Sequence, residues 1–179
     1  PGGAVEQILK EVQSLGLTVE RILPTHAHFD HFLASSELKR ATGATLCLHE
    51  QDKLLWEKLD VQCKLFGVAS APALAPDHFL NDEEQIGVGE LKGIALHTPG
   101  HTPGSMSFHF PSAQLVLAGD TLFRGAIGRT DLWGGDFNAI ERSIRERLYT
   151  LDEQTRVITG HGAETVIGFE KDENAYIRA

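Results

Sequence analysis

The spacing of apolar and polar positions predicts several amphipathic helices. Near the start of the chain, apolar residues recur at helical spacing: Val5, Ile8, Leu9, Val12 and Leu15. Gly16 follows where a helix commonly ends. Further helices are predicted over 32–41 and over most of 51–66, and Asp136 is a candidate N-cap for another. The expected buried face of this last helix comprises Phe137, Ile140, Ile144 and Leu148.

Short apolar runs bounded by turn residues predict strands between these helices. Strands are expected over 19–23, 44–48 and 156–159, and an antiparallel pair over 105–110 and 115–118. A hairpin is predicted over 86–98, the segment 156–159 is expected to be the last strand, and 69–76 a surface loop. Because the strands are joined partly by hairpins and partly by helices, the pattern predicts a layered α/β sandwich.

Composition narrows the class of protein. A chain of 179 residues is long enough for one domain, and we expect a single domain over 1–179. Its net charge of −9 argues against a nucleic-acid-binding protein, which normally carries a basic surface. No apolar run approaches the roughly 20 residues that cross a bilayer, and no signal peptide is visible. Two cysteines, Cys47 and Cys63, are expected to be buried, which is compatible with a cytoplasmic protein.

A cluster of histidines and an aspartate follows the first predicted strand. His26, His28, Asp30 and His31 fall within six residues. In an extended backbone, residues two apart point to the same side, so the first two histidines can converge on one metal ion. Asp30 and His31 lie beyond the strand and can turn toward a second ion. The alternative is a polar helix N-terminus with Asp30 as its cap.

Three more polar residues each follow a strand-like segment and lie next to glycines: His101, Asp120 and His161. Taken singly, each has a structural interpretation as a turn or capping residue. Together with the first cluster they supply five histidines and two aspartates. That set suits two first-row metal ions sharing one carboxylate.

The motif Thr25-His26-Ala27-His28-Phe29-Asp30-His31, followed by Gly100-His101, Gly119-Asp120 and Gly160-His161, resembles the metallo-β-lactamase superfamily. Within it, the chain is similar to the glyoxalase II (hydroxyacylglutathione hydrolase) branch, especially its small single-domain members. The resemblance implies a four-layer αββα sandwich. Because the chain opens at Pro1-Gly2-Gly3, we expect the family's first two strands to lie outside this sequence.

The resemblance also implies a role for each ligand. His26, His28 and His101 would hold one ion, Asp30, His31 and His161 would hold the second, and Asp120 would bridge them. Two such ions can lower the pKa of a bound water toward about 7, which provides a nucleophile at neutral pH. Asp30 is a candidate proton shuttle. Zinc is the first expectation for the two divalent ions, with iron or manganese as alternatives.

Substrate recognition is less specified by the sequence. The expected substrate is a small thioester such as S-lactoylglutathione, and Arg129 is placed to bind a substrate carboxylate. Asp131 and Ala163 replace tyrosines of the glyoxalase II pattern, so thioester hydrolysis is better supported than glutathione recognition. Arg129 and Asp131 can instead form a salt bridge that fixes their loop. Trp133 is a candidate wall of the substrate pocket.

Two other functions remain open. A mono-iron persulfide dioxygenase is favoured by Gly128-Arg129-Thr130-Asp131, whereas Gly160-His161-Gly162 is more typical of the hydrolases. A non-catalytic metal-binding module would retain the ligands without turnover. A β-lactamase role is disfavoured because the spacing beyond the shared motif follows the glyoxalase branch.

Overall fold

The computed structural model describes residues 1–70 and 72–179, which divide into two compact units, Pro1–Leu80 and Asn81–Ala179. Each unit is built from α-helices and β-strands, as predicted. The expectation of a single domain stays a prediction. No helix within the described residues is both long enough and apolar enough to cross a membrane.

The unit Pro1–Leu80 contains a three-stranded parallel sheet in the order β1-β2-β3, formed by β1 (Arg21–Ile22), β2 (Thr45–His49) and β3 (His78–Leu80). Parallel neighbours require crossover connections, and helices supply them. The helices of this unit are α1 (Val5–Ser14), α2 (Phe29–Phe32), α3 (Ser35–Thr42), α4 (Lys53–Glu57) and α5 (Leu59–Leu65). A 3₁₀ turn at Glu50–Asp52 precedes α4. The core of the unit includes Ile22, Phe32, Leu46, Leu48 and Leu59.

The unit Asn81–Ala179 is dominated by a six-stranded sheet in the order β11-β10-β7-β6-β5-β4. Its strands are β4 (Glu84–Val88), β5 (Leu91–His97), β6 (Met106–Phe110), β7 (Leu115–Gly119), β10 (Arg156–Thr159) and β11 (Thr165–Val166). All neighbours are antiparallel except β7 and β10. A separate hairpin pairs β8 (Leu122–Phe123) with β9 (Ala126–Ile127). A 3₁₀ turn, Pro111–Ala113, joins β6 to β7.

Two helices complete this unit, α6 (Phe137–Ser143) and α7 (Ile167–Glu173). Asp136 caps α6 as predicted, because its carboxylate accepts a hydrogen bond of 3.0 Å from the backbone N–H of Ala139. The helix continues as a π-helical turn, Ile144–Leu148. Its apolar residues Ile140, Ile144 and Leu148 are fully buried in the core of this unit.

Several predicted boundaries are wrong. The segment 156–159 is not the last strand, since β11 follows it, and β3, β8, β9 and α7 were not predicted. The helix expected over 51–66 is broken at Lys58, and the one expected at 32–41 is replaced by two helices, 29–32 and 35–42. Phe137 is exposed because it occupies the first turn of α6, before the helix reaches the core. The loop predicted at 69–76 is confirmed for its described residues, while Ala71 lies outside them. Both cysteine side chains are buried, as expected.

Candidate metal centre

The first ligand cluster lies in the loop that leads from β1 to α2. The strand is shorter than predicted, so His26 and His28 stand four and six residues beyond its end rather than directly at it. Their rings nevertheless converge, with centroids 4.9 Å apart and nearly perpendicular planes. The ring of His31, from α2, lies 4.2 Å from that of His26. Three imidazoles therefore meet within one loop and one helical turn.

The aspartate of this cluster is at the surface. The Asp30 Oδ2 atom lies 3.8 Å from Nε2 of His31, and its side chain is 39% exposed. His26 is 1% exposed, and its Nδ1 lies 3.0 Å from the hydroxyl of Thr25. The segment thus contains both a buried imidazole, that of His26, and a carboxylate that is open to solvent, that of Asp30. The alternative in which Asp30 caps the helix is wrong, because His28 occupies the N-cap position and no side-chain capping bond forms there.

The other three predicted ligands meet in the unit Asn81–Ala179. The Asp120 Oδ2 atom lies 3.6 Å from Nε2 of His101 and 3.6 Å from Nε2 of His161. Its carboxylate is largely buried and so is His101, whereas the His161 side chain is 55% exposed. One carboxylate oxygen is therefore equidistant from two imidazole nitrogens.

Strand direction explains why residues so far apart in sequence come together. The strand β7 is antiparallel to β6, which is antiparallel to β5, so β5 and β7 run in the same direction. The strand β10 is parallel to β7. The carboxyl ends of β5, β7 and β10 therefore lie at one edge of the sheet. His101, Asp120 and His161 follow these three ends within one to four residues.

Glycines allow the close packing around these ligands. Gly100 has a φ of +133°, and a Cβ there would lie 2.2 Å from the backbone nitrogen of Ile140. A Cβ on Gly128 would lie 1.8 Å from the carbonyl oxygen of Asp120 and 3.1 Å from Cβ of His101. Only glycine fits at either position without a shift of the neighbouring backbone.

A backbone carbonyl orients His101. Its Nδ1 lies 2.9 Å from the carbonyl oxygen of Arg129, which can only accept a hydrogen bond. Nδ1 therefore carries a proton, and Nε2 is the ring nitrogen that faces Asp120. Ligand histidines in metalloproteins are commonly oriented by this kind of contact.

The donor atoms fit divalent metal ions. The distances of 3.6 Å between Asp120 Oδ2 and the two imidazole nitrogens are longer than hydrogen bonds. Two ligands bound at about 2.1 Å to one tetrahedral ion are about 3.4 Å apart, close to the spacing observed. The nitrogen and oxygen donors suit zinc, iron and manganese alike.

The candidate substrate residues lie on the surface of the same unit. Arg129 donates two hydrogen bonds to Asp131, Nε to Oδ1 at 2.7 Å and Nη2 to Oδ2 at 2.8 Å. This confirms the predicted salt bridge, and it lowers the pKa of Asp131 to about 2. Trp133 is 55% exposed, so its indole ring is available for contact with a ligand. The roles of these three residues in substrate binding stay predictions.

Two buried polar side chains that form hydrogen bonds with the backbone of the first ligand cluster were not predicted from the sequence. Asp52 and Gln62 are buried and hydrogen-bonded to the backbone of this cluster. One signal was available, because Gln62 interrupts an otherwise apolar helical stripe formed by Leu59, Cys63 and Phe66.

Comparison with known proteins supports the resemblance stated above. The sequence model of the metallo-beta-lactamase superfamily matches residues 1–161. Probable metallo-hydrolase YqgX of Bacillus subtilis is 40% identical, with 99% of this chain and 84% of YqgX covered. Hydroxyacylglutathione hydrolase GloC of Haemophilus influenzae is 38% identical, with 100% of this chain and 85% of GloC covered.

Solved structures also match nearly the whole chain. The B3 metallo-beta-lactamase BLEG-1 is 36% identical with a TM-score of 0.91, and the alignment covers 100% of this chain and 87% of that one. The di-iron-bound form of TTHA1623 is 38% identical with a TM-score of 0.91, and the alignment covers 99% of this chain and 87% of TTHA1623. The predicted fold is therefore confirmed.

Proposed function

Because this chain belongs to the metallo-beta-lactamase superfamily, a superfamily of metallo-hydrolases, we propose that it hydrolyses thioesters at a site with two divalent metal ions. The observation that carries the proposal is the position of Asp120, whose Oδ2 atom is 3.6 Å from both His101 and His161. A carboxylate oxygen shared between two imidazoles is suited to bridging two ions. GloC is named a hydroxyacylglutathione hydrolase, and an acylglutathione is a thioester. The similarity to GloC along the whole of this chain therefore favours a thioester among the possible substrates.

The proposed roles of the ligands are those that the resemblance to the superfamily implies. His26, His28 and His101 would hold one ion, and Asp30, His31 and His161 would hold the other. Asp120 would be shared between the two. Zinc is the metal we propose first, while the di-iron form of TTHA1623 supports iron as an alternative, and manganese also suits these donors.

The chemistry then divides between the ions and the chain. When bound, the ions would supply an activated water and polarise the substrate carbonyl. Asp30 is proposed to carry the proton, since its carboxylate is next to His31 and open to solvent. A thiolate leaving group has a pKa near about 8.5, so the chain needs no strong general acid to release it.

Substrate contacts are proposed at the loop that follows Asp120. Arg129 presents a planar guanidinium that can bind a substrate carboxylate, with Asp131 holding it in place. Trp133 can provide an apolar wall. The net charge of −9 favours a small-molecule substrate over a nucleic acid, and we propose a cytoplasmic location without membrane association.

The test is metal analysis of the purified chain together with hydrolysis of S-lactoylglutathione. We expect about two equivalents of metal and measurable hydrolysis in the zinc- or iron-loaded protein. Asp120→Asn removes the bridging charge at constant shape. It should lower activity by more than the 10- to 100-fold that is typical when only an outer contact of a metal ligand is lost. Asp172→Asn, an exposed change on α7, is the matched control and should leave activity unchanged.

Three results would overturn the proposal. Hydrolysis of a β-lactam without hydrolysis of any thioester would indicate a β-lactamase, the class to which BLEG-1 is assigned. One equivalent of iron, with oxygen uptake in the presence of glutathione persulfide, would identify a dioxygenase, the alternative suggested by Gly128-Arg129-Thr130-Asp131. Two bound ions without turnover of any ester or thioester would indicate a non-catalytic module.

A further inference from the structure

Two buried side chains form hydrogen bonds with the backbone on either side of His28. The N–H of Ala27 donates to Asp52 Oδ2 at 2.9 Å. The carbonyl oxygen of Ala27 accepts from Gln62 Nε2 at 3.1 Å, and the N–H of Phe29 donates to Gln62 Oε1, also at 3.1 Å. Two buried side chains therefore bond to three backbone groups of the ligand loop, on both sides of His28.

Gln62 is suited to this task by its amide chemistry. It is 6% exposed and lies on α5. Its Nε2 group donates a second hydrogen bond, of 2.8 Å, to the carbonyl oxygen of Leu55 on α4. Both amide hydrogens and the amide oxygen are thus used. Because two carbonyl oxygens face Nε2 and an N–H faces Oε1, only one orientation of the amide satisfies all three contacts.

The contact with Phe29 replaces a missing helix cap. Phe29 is the first residue of α2, so its N–H has no partner within the helix. The N-cap position is occupied by His28, which makes no side-chain capping bond. A helix that begins at a metal-ligand histidine cannot use that imidazole as its cap. Gln62 supplies the acceptor from a neighbouring helix instead.

We propose that Gln62, assisted by Asp52, is a positioning residue that sets the backbone of the segment His26–His31 for metal binding. Gln62 touches neither a substrate nor an ion in this scheme. It acts by fixing the peptide groups on either side of His28, and so the directions of the imidazoles that project from them. The inference rests on the proposed metal site, but it does not depend on which substrate is hydrolysed.

The experiment measures metal binding by the purified chain of residues 1–179. Gln62→Met keeps the length of the side chain and removes both donors and the acceptor. Gln62→Glu keeps an acceptor for Phe29 and replaces the donors with a carboxylate oxygen facing two carbonyl oxygens. Gln13→Met, an exposed change on α1, is the matched control. Zinc affinity is determined by competition with a chromophoric chelator, at a temperature where circular dichroism shows each variant to be folded.

We expect zinc affinity to fall by about 10- to 100-fold in both Gln62 variants and to be unchanged in Gln13→Met. The visible spectrum of the cobalt(II)-loaded protein should change in the same two variants, because that spectrum reports ligand geometry rather than stability. If Gln62→Met does not fold, the near-isosteric Gln62→Glu carries the test alone.

The outcomes separate this inference from the proposed function. Zinc affinity within about twofold of wild type and an unaltered cobalt spectrum in a folded Gln62 variant would overturn the positioning role, even if the thioester is hydrolysed. Conversely, wild-type protein that binds two ions but hydrolyses no thioester would refute the proposed function, while weakened binding in the variants would still support the role of Gln62. Wild-type protein that binds no metal would overturn both.

Discussion

The buried carboxylate of Glu170 offers a direct test of how the C-terminal helix stabilises the unit Asn81–Ala179. Glu170 lies on α7 and is 0% exposed. Its two oxygens accept hydrogen bonds from the N–H of Gly125 at 3.0 and 3.1 Å. They also accept from Thr165 Oγ1 at 2.5 Å and from Asn174 Nδ2 at 2.7 Å. The side chain therefore ties α7 to β11 and to the turn between β8 and β9.

The size of the effect follows from what Glu170→Ala leaves behind. The substitution leaves three donor groups without this acceptor, two of them on the buried residues Thr165 and Asn174, and opens a cavity where the side chain was. A hydrogen bond to a charged group contributes about 1.5–3 kcal/mol, and a buried donor left without its acceptor costs about 1–3 kcal/mol. We expect the free energy of unfolding to fall by about 3–5 kcal/mol. Since domains are stable by only about 5–15 kcal/mol, that is a large fraction of the total.

Urea denaturation of wild type and variant, followed by circular dichroism, measures this change. With an m-value of about 2 kcal/mol/M, the midpoint should fall by about 1.5–2.5 M. Glu173→Ala, an exposed change on the same helix, is the control and should shift the free energy of unfolding by less than about 0.5 kcal/mol. A loss below about 1 kcal/mol in Glu170→Ala would refute the reasoning, because it would mean that the three donors find other partners at little cost.

Two further predictions concern the surroundings of the ligands. Gly128→Ala should weaken metal binding and lower the free energy of unfolding by about 1–3 kcal/mol, because the new Cβ would overlap the Asp120 carbonyl oxygen. The control is Gly3→Ala, which has open space around it and should change neither metal binding nor the free energy of unfolding. In an NMR titration, the carboxyl of Asp131 should have a pKa of about 2, rising toward its ordinary value near 3.8 in Arg129→Ala. Because the folded-state pKa is lowered, the stabilisation by this pair is present above pH 4 and is lost as the pH falls toward 2. A normal pKa in the wild type would mean that the salt bridge does not persist in solution.

The sequence was most informative where residue type and position agreed. Asp120 and His161 are polar residues next to glycines at the ends of apolar runs, and the runs became strands that share one sheet edge. The N-cap at Asp136 was predictable for a similar reason, since capping depends on a contact only three residues away. Local patterns such as these are visible without knowledge of the fold.

The elements that were missed have little local pattern. The strands β8 and β9 contain two residues each, too few for an alternation of apolar and polar positions to appear. The break between α4 and α5 at Lys58 interrupts a segment whose composition favours a continuous helix. Neither feature leaves a pattern of apolar and polar positions long enough to be recognised, so neither could be predicted from the sequence.

Gln62 and Glu170 point to a common solution in the two units. In each, a loop that carries or adjoins the ligands has backbone N–H groups that no strand or helix satisfies, and a buried polar side chain satisfies them. The partners are far apart in sequence, 33 residues between Phe29 and Gln62 and 45 between Gly125 and Glu170. The final conformation of these loops therefore depends on contacts with a helix later in the chain. The positions of the ligands therefore depend on tertiary contacts. Mutations of buried residues in α5 or α7 that touch no ligand should alter metal binding, whereas substitutions on the exposed faces of the same helices should not.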